Sequence, residues 1–177
     1  MAHHKNIEKK SIRSEGADLR RPRPKKDEQE FGLAPKEFII CSECNSVFFD
    51  KSWHHRLDDD IEHLNPDKKV EFKTCPACQM KKDKVFEGQL VIILEENPGA
   101  AEEIMRVVKN SEEQAKEKDP MDRILWTEKQ GKEIRIFTSE NQLAVRMAKK
   151  LDSAFKGGKI DIKHSHGEDV TRVYWKY

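Results

Sequence analysis

All four cysteines of the chain fall in two pairs, Cys41-Ser-Glu-Cys44 and Cys75-Pro-Ala-Cys78, with thirty residues between them. A Cys-x-x-Cys turn is the shortest loop that offers two thiolates to one ion. Zn²⁺ takes four thiolates at tetrahedral corners and then has no position left for water. The pattern therefore predicts one structural Zn²⁺ on Cys41, Cys44, Cys75 and Cys78. Extended-looking residues precede each pair: Phe38-Ile39-Ile40 before the first, Val70-Glu71-Phe72-Lys73-Thr74 before the second. Pro76 stiffens the second turn. This layout predicts a zinc ribbon, in which two hairpin knuckles close one site.

Other uses of the cysteines fit less well. A redox dithiol belongs near a thioredoxin-like βαβ pattern, and none surrounds either pair. Disulfides belong to secreted chains. Here the N-terminus is polar and charged, with no apolar signal region and no stretch long enough to span a membrane. A cytoplasmic location without membrane contact is the expectation.

Charged residues make up 38% of the chain and hydrophobic ones 36%, which favours two small units over one large core. The formal net charge of +1 conceals a basic N-terminal stretch. Lys5, Lys9, Lys10, Arg13, Arg20, Arg21, Arg23, Lys25 and Lys26 stand there against Glu8, Glu15 and Asp18. Without apolar periodicity, residues 1–36 read as a disordered basic arm. It is either a solubilising tail or a segment that runs along nucleic-acid phosphates. Residues 37–86 read as the zinc module with an inserted loop. In that loop His54, His55, His63 and Asp58, Asp59, Asp60 match no catalytic metal spacing and read as a solvated insertion.

Residues 87–177 alternate between strand and helix signals. Gly88 to Leu94 is a strand, and Asn97-Pro98 opens a helix with Ile104, Val107, Val108 and Ala115 on its apolar stripe. A hairpin turns at Lys129-Gln130-Gly131-Lys132. Ser139-x-x-Gln142 reads as a capping box for a second helix, whose stripe is Leu143, Ala144, Met147, Ala148, Leu151, Ala154 and Phe155. Gly157-Gly158 stops it, and strands follow at 160–163 and 171–177. The order β-α-β-β-α-β with one extra terminal strand predicts a ferredoxin-like α+β domain with both helices on one sheet face. Ile124/Trp126, Ile134/Ile136, Ile160/Ile162 and Val173/Trp175 share the helix-side parity. The opposite parity offers Arg123, Arg135, Phe137, Lys163, Arg172 and Tyr174. Cations among aromatics on an open sheet suit RNA, and Lys81, Lys82 and Lys84 follow the second knuckle directly. No RNP signature is present.

The run Cys41-x-x-Cys44, Cys75-Pro-x-Cys78 and Phe86-Glu87-Gly88-x-Leu90 resembles the N-terminal zinc-ribbon region of the nonsense-mediated-decay-three proteins. Those are adaptors of the large ribosomal subunit in archaea and eukaryotes. The run Pro120-Met121-Asp122-Arg123-Ile124, Thr138, Leu143-Ala144-x-Arg146 and Arg172-Val173-x-Trp175 is similar to a small bacterial family related to them. The resemblance covers residues 38–177. The adaptors carry further cysteine knuckles and RNA-binding domains, so what the resemblance implies for this chain is contact with the ribosome or ribosomal RNA rather than export. A non-catalytic ribosome-associated RNA-binding factor is the first expectation. A protein-interaction adaptor using the ribbon is the alternative. No nucleophile–base pair, phosphate-cradling loop or open metal site is recognisable, and no small-molecule substrate is expected.

Overall fold

The first cysteine pair is a turn between strands. β1 (Phe38–Cys41) passes through it into β2 (Val47–Phe49), and β3 (Ser52–His54) follows as a second hairpin. Asp50 and Lys51 both adopt positive φ, 46° and 67°, as a two-residue hairpin turn requires. The computed structural model describes residues 38–55, 70–95, 97–164 and 169–177. The basic arm with Arg20, Arg21, Arg23, Lys25 and Lys26 lies outside the described residues, as do Asp58, Asp59, Asp60 and His63.

The second cysteine pair departs from the ribbon layout. β4 (Val70–Lys73) runs parallel to β1, giving a four-stranded sheet of order β3-β2-β1-β4. Cys75 then caps helix α1 (Pro76–Asp83), and Pro76 occupies the helix's first turn. The second knuckle is a strand-to-helix turn, not a second hairpin. Its cause is local: proline at the first helical position is preset for helix, and the Cys75 sulfur accepts the Cys78 N–H as a cap. Ile39, Phe48, Trp53 and Ala77 are buried here together with Cys41 and Cys75.

A larger sheet follows, built from β5 (Gly88–Ile93), β6 (Ile124–Gln130), β7 (Glu133–Thr138), β8 (Lys159–His164) and β9 (Thr171–Lys176). Helix α2 (Ala101–Lys118) connects β5 to β6, and α3 (Asn141–Ala154) connects β7 to β8. The strand order is β6-β7-β5-β9-β8, with β9 parallel to β5. The terminal strand is therefore not an appendix to a four-stranded ferredoxin-like sheet. It lies between β5 and β8, because its alternation supplies Val173 and Trp175 to the core, both 0% exposed. Polar β8 takes the edge, where half of its backbone can face water.

Both helices bury their stripes on one face of this sheet. Ile104, Val108 and Ala115 of α2 join Leu143, Ala144, Met147, Ala148 and Leu151 of α3 over Leu90, Ile92, Ile134 and Ile136. Each large side chain buried this way contributes roughly 1.5–3 kcal/mol. Three local expectations change. A 3₁₀ turn at Pro98–Ala100 precedes α2, and Asn97 makes no side-chain cap. Glu140 sits at the N-cap of α3, while Ser139 turns its hydroxyl toward Arg123 and Met121 instead of closing a capping box. Ala154 is exposed.

Gly158 lies against the Trp175 indole: a Cβ there would stand 2.3 Å from Nε1. Trp175 cannot retreat easily, because its ring is stacked on Tyr177 at 5.3 Å and packed by Phe155 at 5.8 Å. Gly158→Ala is expected to lower stability by about 1–3 kcal/mol. A denaturant midpoint unchanged from wild type would refute this packing.

Candidate metal centre and the adjoining basic surface

The four cysteine sulfurs converge within 4.8 Å of one another. Cys41 and Cys44 come from the β1–β2 turn, where the Cys41 N–H bonds to the Ser46 carbonyl at 2.8 Å and the Asn45 N–H bonds to the Cys41 carbonyl at 2.9 Å. Asn45 takes the left-handed conformation, φ 61°, which asparagine tolerates. Cys75 and Cys78 come from the first turn of α1. The Cys75 N–H donates to the Cys41 sulfur at 3.2 Å, so backbone joins the two halves of the site directly. Cys44 and Cys75 sulfurs are 3.6 Å apart. Four thiolates about 2.3 Å from one Zn²⁺ stand about 3.8 Å from each other. The donor set fits one tetrahedral ion, with every corner supplied by protein.

Gathering four sulfurs raises their mutual charge problem. Burial, the largest influence on Cys44, pushes its thiol up, yet hydrogen bonds from the Ser46 side chain and backbone, Arg123 and Cys41 outweigh it and bring the group down to about 6. Burial pushes Cys75 well above the ordinary thiol range and Cys78 up to about 11, with the charge of Cys44 adding to both. A cation among the sulfurs would relieve this arrangement.

Arg123 was expected on the free sheet face. Instead it is turned into the cysteine cluster, where Nη1 donates to the Cys78 sulfur at 3.8 Å. Its Nε donates to the Pro120 carbonyl at 2.9 Å, and Nη2 donates to the same oxygen. Its backbone N–H donates to Ser139 Oγ at 2.9 Å, and its carbonyl accepts the Ser139 N–H at 3.1 Å. Burial draws its pKa down, but hydrogen bonding with Cys44 and the charges of Cys44, Cys75 and Cys78 hold it above the usual value. A zinc tetrathiolate carries a net −2 charge, and a fixed guanidinium offsets part of it. Spacing alone gave no sign of this residue, since it lies 45 positions from Cys78.

The remaining candidates fall into separate places. Lys81 and Lys82 stand in the last turn of α1, and Lys82 pairs with Glu43 at 2.7 Å. Lys84 caps α1 with φ 55° and places its ammonium 4.7 Å over the Trp126 ring. Trp126 itself departs from its expected face. The register between β6 and β7 shifts between Ile124 and Trp126, so Ile124 opposes Thr138 but Trp126 opposes Phe137. This bulge reverses the parity of β6 and moves Trp126 to the face away from α2 and α3. There it stacks on Phe137 at 4.5 Å, with Phe86 edge-on to both rings. Phe137 is only 6% exposed, so it is a buried layer and not a stacking platform.

Farther along the same face, Arg135 is held by Glu133 at 2.6 Å, and Arg172 and Tyr174 are half-buried on β9. Lys163 lies 4.9 Å over Tyr174 and 3.5 Å from Asp161. Ile162, assigned to the helix side, is 38% exposed at the sheet edge. His54 bonds to Ser52 and His55 to the Lys116 carbonyl, and among the described residues neither joins a metal cluster. Comparison of the chain with protein-family models, curated proteins and solved structures finds no match.

Arg123→Met is expected to leave the cysteine geometry in place but weaken metal binding about tenfold or more, as loss of an outer partner does. Competition with a chromophoric chelator reads this directly. Affinity should also fall as pH is lowered, because protons compete with the ion for each thiolate. An affinity flat between pH 8 and pH 6 would rule out thiolate ligation.

Proposed function

We propose that this chain is a non-catalytic RNA-binding factor built around one structural Zn²⁺ and acting at the ribosome. The observation that carries the reading is the division of the large sheet. One face is filled by α2 and α3, and the other bears Trp126, Arg135, Arg172, Tyr174, Lys163 and Lys176 at alternate positions. Cations hold phosphate and aromatic rings stack on unpaired bases, which is how sheets engage RNA. The closed sulfur set supports a structural role for the metal, since no corner remains for substrate. The likeness of the cysteine and Arg172-Val173-x-Trp175 motifs to ribosomal adaptors and their bacterial relatives selects the ribosome among RNAs. The basic arm, residues 1–36, would extend the contact along phosphates.

Zinc analysis should return one ion per chain, and replacing any one cysteine by serine should cost most of the folding of the small sheet. The full chain should co-sediment with ribosomes at low salt and dissociate as salt rises. Each phosphate contact on a single strand contributes a slope of about −0.7 in log affinity against log salt. Deleting residues 1–26 should flatten that slope. Absence from ribosomes at low salt would sink the reading.

A protein-adaptor role has one observation in its favour. Phe72 on β4 is 67% exposed and Val85, just after α1, is 55% exposed, both on the cysteine module. Partner binding that ignores salt would favour that role over RNA.

A further inference from the structure

α1 meets the outer strand β6 in a cleft of about 440 Å³, lined by Glu43, Cys78, Lys81, Lys82, Arg123 and Ile124 among others. Two residues along β6 from Ile124 stands Trp126. Phe137 supports this indole from behind in a near-parallel stack, with 17° between the planes, and Phe86 packs against its edge. Its Nε1 donates to Glu128 at 3.1 Å, which fixes the ring in plane. Phe137 stacks on the indole, and the Lys84 ammonium also lies over its ring, 4.7 Å from the centroid. Lys84 reaches that position from a left-handed helix cap, a conformation that glycine or asparagine adopts more readily. An aromatic surface with a removable cation over it thus adjoins, through Ile124, a cleft that carries two further lysines.

Resting on the RNA-binding reading above, we propose that a single unpaired RNA strand seats in this crease, with one base stacked on Trp126 and the flanking phosphates on Lys81, Lys82 and Lys84. Arg123 takes no part in holding phosphate, because its charge is committed to the sulfurs. All three lysines are exposed, Lys82 pairing with Glu43 and Lys84 lying over Trp126. A surface cation–π contact is weaker than base–aromatic stacking, so an incoming base displaces the Lys84 ammonium from the indole and frees it for a phosphate. The Lys82–Glu43 pair is similarly exchangeable, since both partners are about half exposed, 49% and 46%, and water screens them. An acidic peptide would satisfy the lysines but would leave the flat indole without a planar partner. A duplex would keep its bases stacked internally and could not use Trp126 at all. The crease therefore selects unpaired strands.

The test titrates metal-loaded full chain with a short unstructured RNA, and separately with an RNA duplex, at several salt concentrations. Wild type should bind the single strand more tightly than the duplex, with quenching of indole emission, while Trp53 and Trp175 stay buried. Trp126→Leu should lose the quenching and weaken single-strand binding about tenfold, with the salt slope unchanged. Lys81→Glu combined with Lys82→Glu should flatten the slope by about 1.4, two contacts at 0.7 each. Those lysines are exposed, so this variant stays informative if the Trp126 variant proves unstable. If wild type binds RNA with steep salt dependence and both variants bind like wild type, this site is wrong while RNA binding by another surface stands. Equal affinity for duplex and single strand also overturns it, as does capture of acidic peptide in preference to RNA. If wild type binds no RNA at low salt, the functional reading itself fails.

Discussion

Four sulfurs within 4.8 Å of one another are the constraint from which the rest of the molecule is organised. The small sheet has few large apolar residues of its own, chiefly Ile39, Phe48 and Trp53, too few to hold strands of three or four residues unaided. Its halves are joined by the parallel β1–β4 pairing and by the sulfur set, through the Cys75 N–H on Cys41. Binding energy of a metal held by these sulfurs would be folding energy for this unit. Arg123 carries the constraint across to the larger sheet. One side chain touches a ligand sulfur, and its own backbone is clamped by Ser139 at the entry to α3. Met121, two residues earlier, packs against the cysteine module's core. The metal site and the helical domain thus share a wall.

A single irregularity decides which chemistry faces outward. Ile124, Leu125 and Trp126 are three apolar residues in a row, and a regular strand cannot bury all of them on one face. The register shift resolves the conflict: Leu125 is 2% exposed, and Trp126 emerges beside Phe137. Strict alternation had paired Trp126 with Ile124, and the clue against it was the run itself. That alternation placed Trp126 in the core and left the outward aromatic position to Phe137, which is 6% exposed.

What was legible depended on range. The cysteine set and both helix stripes rest on residues within a few positions of each other or on a donor count, and Leu143 to Leu151 buried as their period required. The strand order and the second knuckle depend on which segments pair at a distance, where local pattern says little. Proline at position 76 was readable as a stiff turn but also as a helix start, and the cap on Cys75 chose the latter. Likewise Ser139 had two partners available. The exposed helix start of α3 lost to the Arg123 backbone, whose N–H would otherwise lie unpaired at the junction between the sheets.

The junction is also where charge separates. Met80 and Pro76 line a cleft of about 230 Å³ that also contains Glu87, Asp119, Asp122 and Glu140. Lys81, Lys82 and Arg123 line the cleft on another side of the same helix. Burial, reinforced by the charges of Glu87 and Asp122, holds the Glu140 carboxyl above its usual range. Carboxylates thus collect on one flank of α1, while the other carries Lys81 and the Lys82–Glu43 pair. The cleft volumes differ by only about twofold, so shape alone would not choose between them. Charge distinguishes them, and under the proposed RNA-binding reading it would favour phosphates on the flank that carries Lys81 and Lys82.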